Sequence, residues 1–289
     1  MCDDHSIEDN NRLLGDVSRR GFGVLTGMAG LAMMLPAPAD ALTIAGRDVS
    51  IATPDGHADA YFVAPSSGRH PGVLVWPDIM GLRPAFRQMA DRLAQSGYAV
   101  LVVNQFYRST KAPFLAPGES FDQPDVRAKI MPFTKALSPD GTTRDAIAFI
   151  GFLDAQPQVD RARGLGTTGY CMGGPMVFRT AAAVPGRIRA GATFHGGGLV
   201  TDAADSPHLL IPRMKAKYLI AIAANDDARA PTDKDTLRTS FAAAKLPAEI
   251  EVYAGTMHGW CPPDSRVYDA QAADRAWGRM LALFGPALA

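Results

Sequence analysis

Beyond residue 42 the apolar positions of this chain change their period in a regular rhythm. Residues 42–64, LTIAGRDVSIATPDGHADAYFVA, alternate apolar and polar on either side of Pro54-Asp55-Gly56, which predicts an antiparallel hairpin. The runs GVLVW (72–76) and YAVLVV (98–103) are apolar without alternation, as in a strand covered on both faces. Between them, residues 84–95 place Phe86, Met89, Ala90, Leu93 and Ala94 at helical spacing, and Gly97 marks the stop. Residues 142–155 repeat the helical pattern, with Ala146, Ile147, Ile150 and Leu153 on one face. A strand over 165–170 and a helical run from Pro175 follow. Strands over 190–194, 218–223 and 249–253 and helices over 232–244 and 270–284 complete the series. Strands that alternate with helices predict an α/β domain with a mostly parallel, doubly wound sheet and an N-terminal antiparallel hairpin. No internal repeat or linker interrupts residues 42–289, so one domain is expected there. Residues 104–140, long and rich in proline, are expected to be irregular and to form a lid or a wall of a site.

The first 41 residues read differently. Ser18-Arg19-Arg20-Gly21-Phe22 precedes a short, glycine- and alanine-rich apolar run that ends at Ala39-Asp40-Ala41. This resembles a twin-arginine export signal cleaved after Ala41, and the run is too short for a good spanning helix. The expectation is recognition by the twin-arginine export machinery, a periplasmic or secreted mature protein, and no stable membrane span in it.

Composition narrows the function classes. With 47% hydrophobic and 20% charged residues the chain can bury a proper core. Lysine plus arginine and aspartate plus glutamate both number 29, with no basic stripe, which argues against a nucleic-acid partner. No metal-ligand spacing and no phosphate loop appear, so no cofactor and no metal are expected.

The candidate chemistry lies at Gly169-Tyr170-Cys171-Met172-Gly173-Gly174, between a predicted strand and a predicted helix. Gly-x-Cys-x-Gly is the nucleophile-elbow pattern with cysteine in place of serine. A thiol at a helix N-terminus gains thiolate character from the unpaired N–H groups there. A nucleophile needs a base, and the base needs an orienting acid. In the chain order of this architecture, the acid falls after the strand ending in AIAA, where Asp226 is favoured over Asp227. The base falls after EIEVY, at His258. The oxyanion is expected at the backbone N–H groups of Met172 and of Ile79, in the loop after VLVW. His195-Gly196-Gly197-Gly198 spells a lipase-type oxyanion sequence but follows the nucleophile, so it reads as a glycine-rich turn walling the site. Once Cys2 leaves with the signal, Cys171 and Cys261 remain, and they could pair if their Cα atoms lie within about 7 Å.

With GYCMGG, Asp226, His258 and PDIMGLRP in place, the chain resembles the dienelactone hydrolase family of α/β-hydrolases over roughly residues 73–277. The resemblance implies the α/β-hydrolase fold and hydrolysis of an enol lactone through a cysteine-bound acyl intermediate. It also implies a thiol-activating acid after the first core strand. The best-known members carry glutamate there, and this chain has the shorter Asp78. Of the family's two carboxylate-binding arginines, Arg108 matches one, whereas Pro262 stands where the second is expected; Trp260 is the other candidate substrate-binding residue. The expected partner is therefore a small ester or lactone. The rival readings are a general carboxylesterase on the same fold and a non-catalytic small-molecule-binding relative.

Overall fold

The computed structural model of the chain describes residues 7–12, 35, 38 and 40–289. Arg19, Arg20 and the apolar run of the expected export signal lie outside the described residues. No helix among the described residues is long and apolar enough to cross a membrane.

The predicted hairpin is β1 (Ile44–Thr53) and β2 (Gly56–Pro65), paired antiparallel, with Gly56 turning the chain at φ +134°. The continuous apolar runs are β3 (Gly72–Trp76) and β4 (Ala99–Val103), and every residue of both is buried. With β5 (Leu165–Tyr170), β6 (Ile188–Phe194), β7 (Lys217–Ala223) and β8 (Ala248–Tyr253) they form one eight-stranded sheet in the order β1-β2-β4-β3-β5-β6-β7-β8. The hairpin joins β4 antiparallel, and the pairs from β4 through β8 are all parallel.

Alternation along the central strands explains why they read as unbroken apolar runs. Leu74 and Trp76 pack on one face, among residues of α3 (Pro139–Ala155), α4 (Gly173–Ala183) and α6 (Asp233–Ala243). Val73 and Val75 pack on the other, against α1 (Pro84–Gln95) and α7 (Ala270–Ala287). Both faces are roofed, so no position on these strands can be polar without a buried partner. Trp76 meets Phe149 of α3 at 5.6 Å between ring centroids, and truncating such a core aromatic to alanine costs about 3–5 kcal/mol.

The structure departs from the sequence reading in three places. The segment 104–140 is not wholly irregular, because α2 (Pro124–Lys135) forms within it. Its sequence hides a helix because only Val126 and Ile130 are buried and Pro132 sits in its interior, where proline normally breaks the ladder. The helix α3 starts at Pro139, earlier than its apolar pattern, because Ser138 caps it by accepting the Gly141 N–H at 3.0 Å. Ile147 points outward, 53% exposed, and Phe149 takes its place in the core. Asp226 and Asp227 follow β7 as expected, on a short helix, α5 (Ala224–Arg229).

Candidate active site

The carboxyl ends of the parallel strands are where ligands bind in sheets of this kind. Five neighbouring strands deliver the candidate residues there: β3 leads to Asp78 and Ile79, β5 to Cys171, β6 to His195, β7 to Asp226 and β8 to His258.

Cys171 adopts φ +53°, in the left-handed region that non-glycine residues avoid. That conformation costs roughly 1–3 kcal/mol and persists only where the surroundings hold it. Main chain supplies the hold: the Cys171 N–H donates to Phe194 O at 3.1 Å, and its carbonyl accepts from Gly174 at 3.0 Å and Gly197 at 3.3 Å. The flanking glycines are needed for close approach. A Cβ on Gly169 would overlap the Gly173 carbonyl, and one on Gly173 would overlap the carbonyl of Trp76 at the end of β3. The turn therefore seats Cys171 at the N-terminus of α4, which favours thiolate.

His258 is 3% exposed, and its Nδ1–H donates to Asp226 Oδ2 at 2.7 Å. Asp227 instead holds Lys234 at 2.6 Å, so the two adjacent carboxylates have different partners. The His258 N–H donates to Asn225 Oδ1 at 2.8 Å, which fixes the backbone that carries the ring. Its Nε2 is buried with no oxygen or nitrogen partner, and the Cys171 side chain interacts with the ring. Burial works against a charged imidazole. Cys171 and Asp226 together outweigh it and raise the His258 pKa from its ordinary 6.5 to about 10. The geometry thus joins thiol, imidazole and carboxylate in the order expected from the sequence.

Asp78 is buried and lines the same cavity of about 100 Å³ as Cys171 and His258. Both its oxygens are taken by Arg83, at 2.7 and 3.0 Å, and Oδ1 also accepts the Met80 N–H at 2.9 Å. Arg83 bridges onward to Asp264 at 2.6 Å. Burial raises the Asp78 pKa; Arg83 opposes this, while Cys171 and Asp264 add to it. The amides of Ile79 and Met172 donate to no protein group among the described residues, which leaves both open to an oxyanion. Among the described residues no group of three or more His, Cys, Asp or Glu side chains is placed to hold a metal ion.

Two expected substrate contacts sit elsewhere. Arg108 does not line the Cys171 cavity. Its guanidinium is held by Asp55 of the β1–β2 turn at 2.5 Å and by buried Asp145 of α3 at 2.7 Å. Trp260 is fully buried, stacked on Tyr253 at 4.7 Å, and backs His195 rather than facing the cavity. Cys171 and Cys261 are not joined. Cys261 lies with Tyr170, Phe194 and Trp277 in a separate cavity on the α1–α7 face, and burial pushes its thiol well above the ordinary range.

Three features escaped the sequence reading in whole or in part. His195 walls the cavity as its turn suggested, but as a wholly buried ring at φ +41°, 5.0 Å from the His258 ring, with both nitrogens unpartnered. Burial and the neighbouring His258 lower its pKa to about 3, so it stays neutral. Asn225, immediately before Asp226, clamps His258; its signal was its place at the strand end. The third is a helical turn at 7–12, within the expected export signal, which no sequence pattern tied to the site. Ile7, Asn10 and Asn11 line the mouth, Asn10 donates to the His258 carbonyl at 3.4 Å, and Asp9 pairs with Arg229 at 2.9 Å.

Comparison with known proteins identifies relatives of the chain. The profile of the dienelactone hydrolase family matches residues 58–288. A carboxymethylenebutenolidase of Pseudomonas putida is 25% identical over 241 residues, covering 82% of this chain and 95% of the relative. A crystal structure from Klebsiella pneumoniae subsp. pneumoniae, provisionally named a dienelactone hydrolase, superposes with a TM-score of 0.72 at 25% identity, covering 84% of this chain and 99% of the other. The fold is shared as well by a dienelactone hydrolase-like promiscuous phosphotriesterase from metagenomic libraries, at a TM-score of 0.68 and 24% identity, with 85% and 99% covered.

Proposed function

The chain belongs to the dienelactone hydrolase family, and on that footing we propose that it hydrolyses a small ester or lactone through a Cys171–His258–Asp226 triad. The observation that carries this reading is the 2.7 Å Asp226–His258 bond, with His258 against a cysteine held at positive φ on the elbow.

The thiolate of Cys171 attacks the carbonyl carbon, and the charge that develops on oxygen is met by the Ile79 and Met172 N–H groups. As the C–O bond breaks, His258 gives its proton to the departing alkoxide, leaving a thioester on Cys171. Water then attacks the thioester while His258 takes its proton; the C–S bond breaks, and the acid and the thiolate are released. Asp226 holds the ring in the tautomer both steps require. Asp78, a buried carboxylate in electrostatic contact with the sulfur, is the thiol-activating acid, and Arg83 balances its charge. Residues 1–41 direct export through the twin-arginine machinery, which places the mature enzyme in the periplasm or outside the cell.

Dienelactone itself is one substrate reading; an ester of another class is the second, and the placement of Arg108 favours it. An arginine occupied by two carboxylates outside the cavity cannot hold a substrate carboxylate at the same time. The test is hydrolysis of dienelactone beside p-nitrophenyl acetate by the parent chain and Cys171→Ala, with mass spectrometry of the trapped acyl group. Loss of turnover in the variant and an acyl group on Cys171 are expected. Undiminished turnover in the variant, or acylation at any other residue, overturns the mechanism.

A further inference from the structure

In the full chain, with Ile7, Asn10 and Asn11 across its mouth, the cavity shared by Cys171 and His258 measures about 100 Å³, room for a reacting group and little else. Sites for small molecules usually run to about 300–1,000 Å³. A second cavity of about 430 Å³ begins where the first ends: Ile79 lines both, and Met172, next to the nucleophile, lines the second. Neither Cys171 nor His258 borders it. The two cavities therefore have different chemical duties. His258 must reach the leaving oxygen, so the leaving group belongs on its side. The acyl remainder belongs on the other, behind the two oxyanion amides.

One face of α4 and its cap forms the wall of that second cavity. Met172, Pro175, Met176 and Arg179 fall at i, i+3, i+4 and i+7, and all four line it, with Leu137 across from them. An apolar track thus leads from the reacting carbon to a guanidinium. The distance from Met172 to Arg179 is about 10 Å at 1.5 Å per residue, the length of a medium-chain acyl group. Arg179 has no partner suited to its charge. Its Nη1 reaches only the Asp205 carbonyl, at 3.5 Å, and no carboxylate closes to salt-bridge distance among the described residues. It is partly buried, and burial lowers its pKa while Asp205 and Asp140 oppose from farther away. By contrast, Arg83, Arg108 and Arg187 each hold a carboxylate at 2.7 Å or less.

We propose that the second cavity is the acyl site and that Arg179 reads a carboxylate at the far end of the acyl chain, so that the preferred substrate is a half-ester of a medium-chain dicarboxylic acid. The proposal rests on the hydrolase reading above. It also moves the anion contact from Arg108, which Asp55 and Asp145 occupy, to Arg179.

The test uses the full chain with p-nitrophenyl acetate, p-nitrophenyl octanoate and p-nitrophenyl hydrogen suberate, the last two differing only by the terminal carboxylate. The parent should favour suberate over octanoate in kcat/KM by about tenfold or more, as a charged hydrogen bond supplies. Arg179→Gln should erase that ratio through KM, and Arg179→Lys should restore part of it. Leu137→Trp, which fills the cavity, should lower both long esters relative to acetate. A parent ratio near one, or equal losses on suberate and octanoate in Arg179→Gln, overturns the anion site while leaving the hydrolase reading intact. Undiminished turnover of all three esters by Cys171→Ala overturns both together.

Discussion

Asp226 and His258, thirty-two positions apart, meet at 2.7 Å, and that contact decides which of two adjacent aspartates serves the imidazole. Asp226→Asn should lower kcat by about 10²–10⁴-fold, as loss of the orienting acid does in comparable triads. Asp227→Asn breaks only the pair with Lys234 and should leave kcat within about threefold. Steady-state kinetics of the two variants side by side check this.

The same contact makes stability depend on pH. Folded His258 keeps its proton to about pH 10, whereas in the unfolded chain it titrates near 6.5. Its proton-linked stabilisation is complete below about pH 6.5 and is lost as the pH rises through about 10. The urea midpoint should therefore fall between those limits, and fall less in Asp226→Asn, where one of the two groups raising the pKa is gone. A series of urea melts across that window measures it.

Gly173 faces the Trp76 and Pro77 carbonyls, so a methyl group there must push α4 away from the end of β3. Gly173→Ala should destabilise the fold by about 1–3 kcal/mol, as overpacking does. It should also slow acylation, because the Met172 and Ile79 amides lie on the two elements being parted. Thermal melts and the burst phase with p-nitrophenyl acetate report the two effects separately.

Arg108 ties the β1–β2 turn to buried Asp145. Arg108→Gln leaves that carboxylate without its charge partner and should lower the melting temperature while KM for uncharged esters stays within about twofold. A large KM change at unchanged stability would return Arg108 to the substrate.

Ile7, Asn10 and Asn11 line the mouth of the Cys171 cavity. A chain beginning at Leu42 loses them but keeps the whole sheet, since β1 starts at Ile44. Iodoacetamide should alkylate Cys171 of that shorter chain several-fold faster than in the full chain. Equal rates would show that the turn at 7–12 does not restrict access.

The succession of strands and helices and the meeting of Cys171, Asp226 and His258 were legible because each depends on local signals: unbroken apolar runs, glycines at fixed offsets, polar residues where a run ends. What was not legible depends on where side chains are drawn by residues remote in sequence. Arg108 follows its strand at the expected place, yet Asp55 and Asp145, 53 and 37 positions away, turn it from the cavity. Arg83 stands five residues after Asp78, and nothing in that spacing announces a two-pronged clamp extended to Asp264. Pro132 concealed a helix by a rule that is sound in isolation.

At the elbow, position and chemistry are set by different parts of the chain. Backbone hydrogen bonds and the bare α-carbons of Gly169 and Gly173 fix where the side chain of residue 171 stands, and its Sγ decides only which atom is offered there. A designer can therefore treat the turn as a mount with an exchangeable head: oxygen for sulfur at residue 171 trades one nucleophile for another, whereas a single added carbon at either glycine dismantles the mount itself.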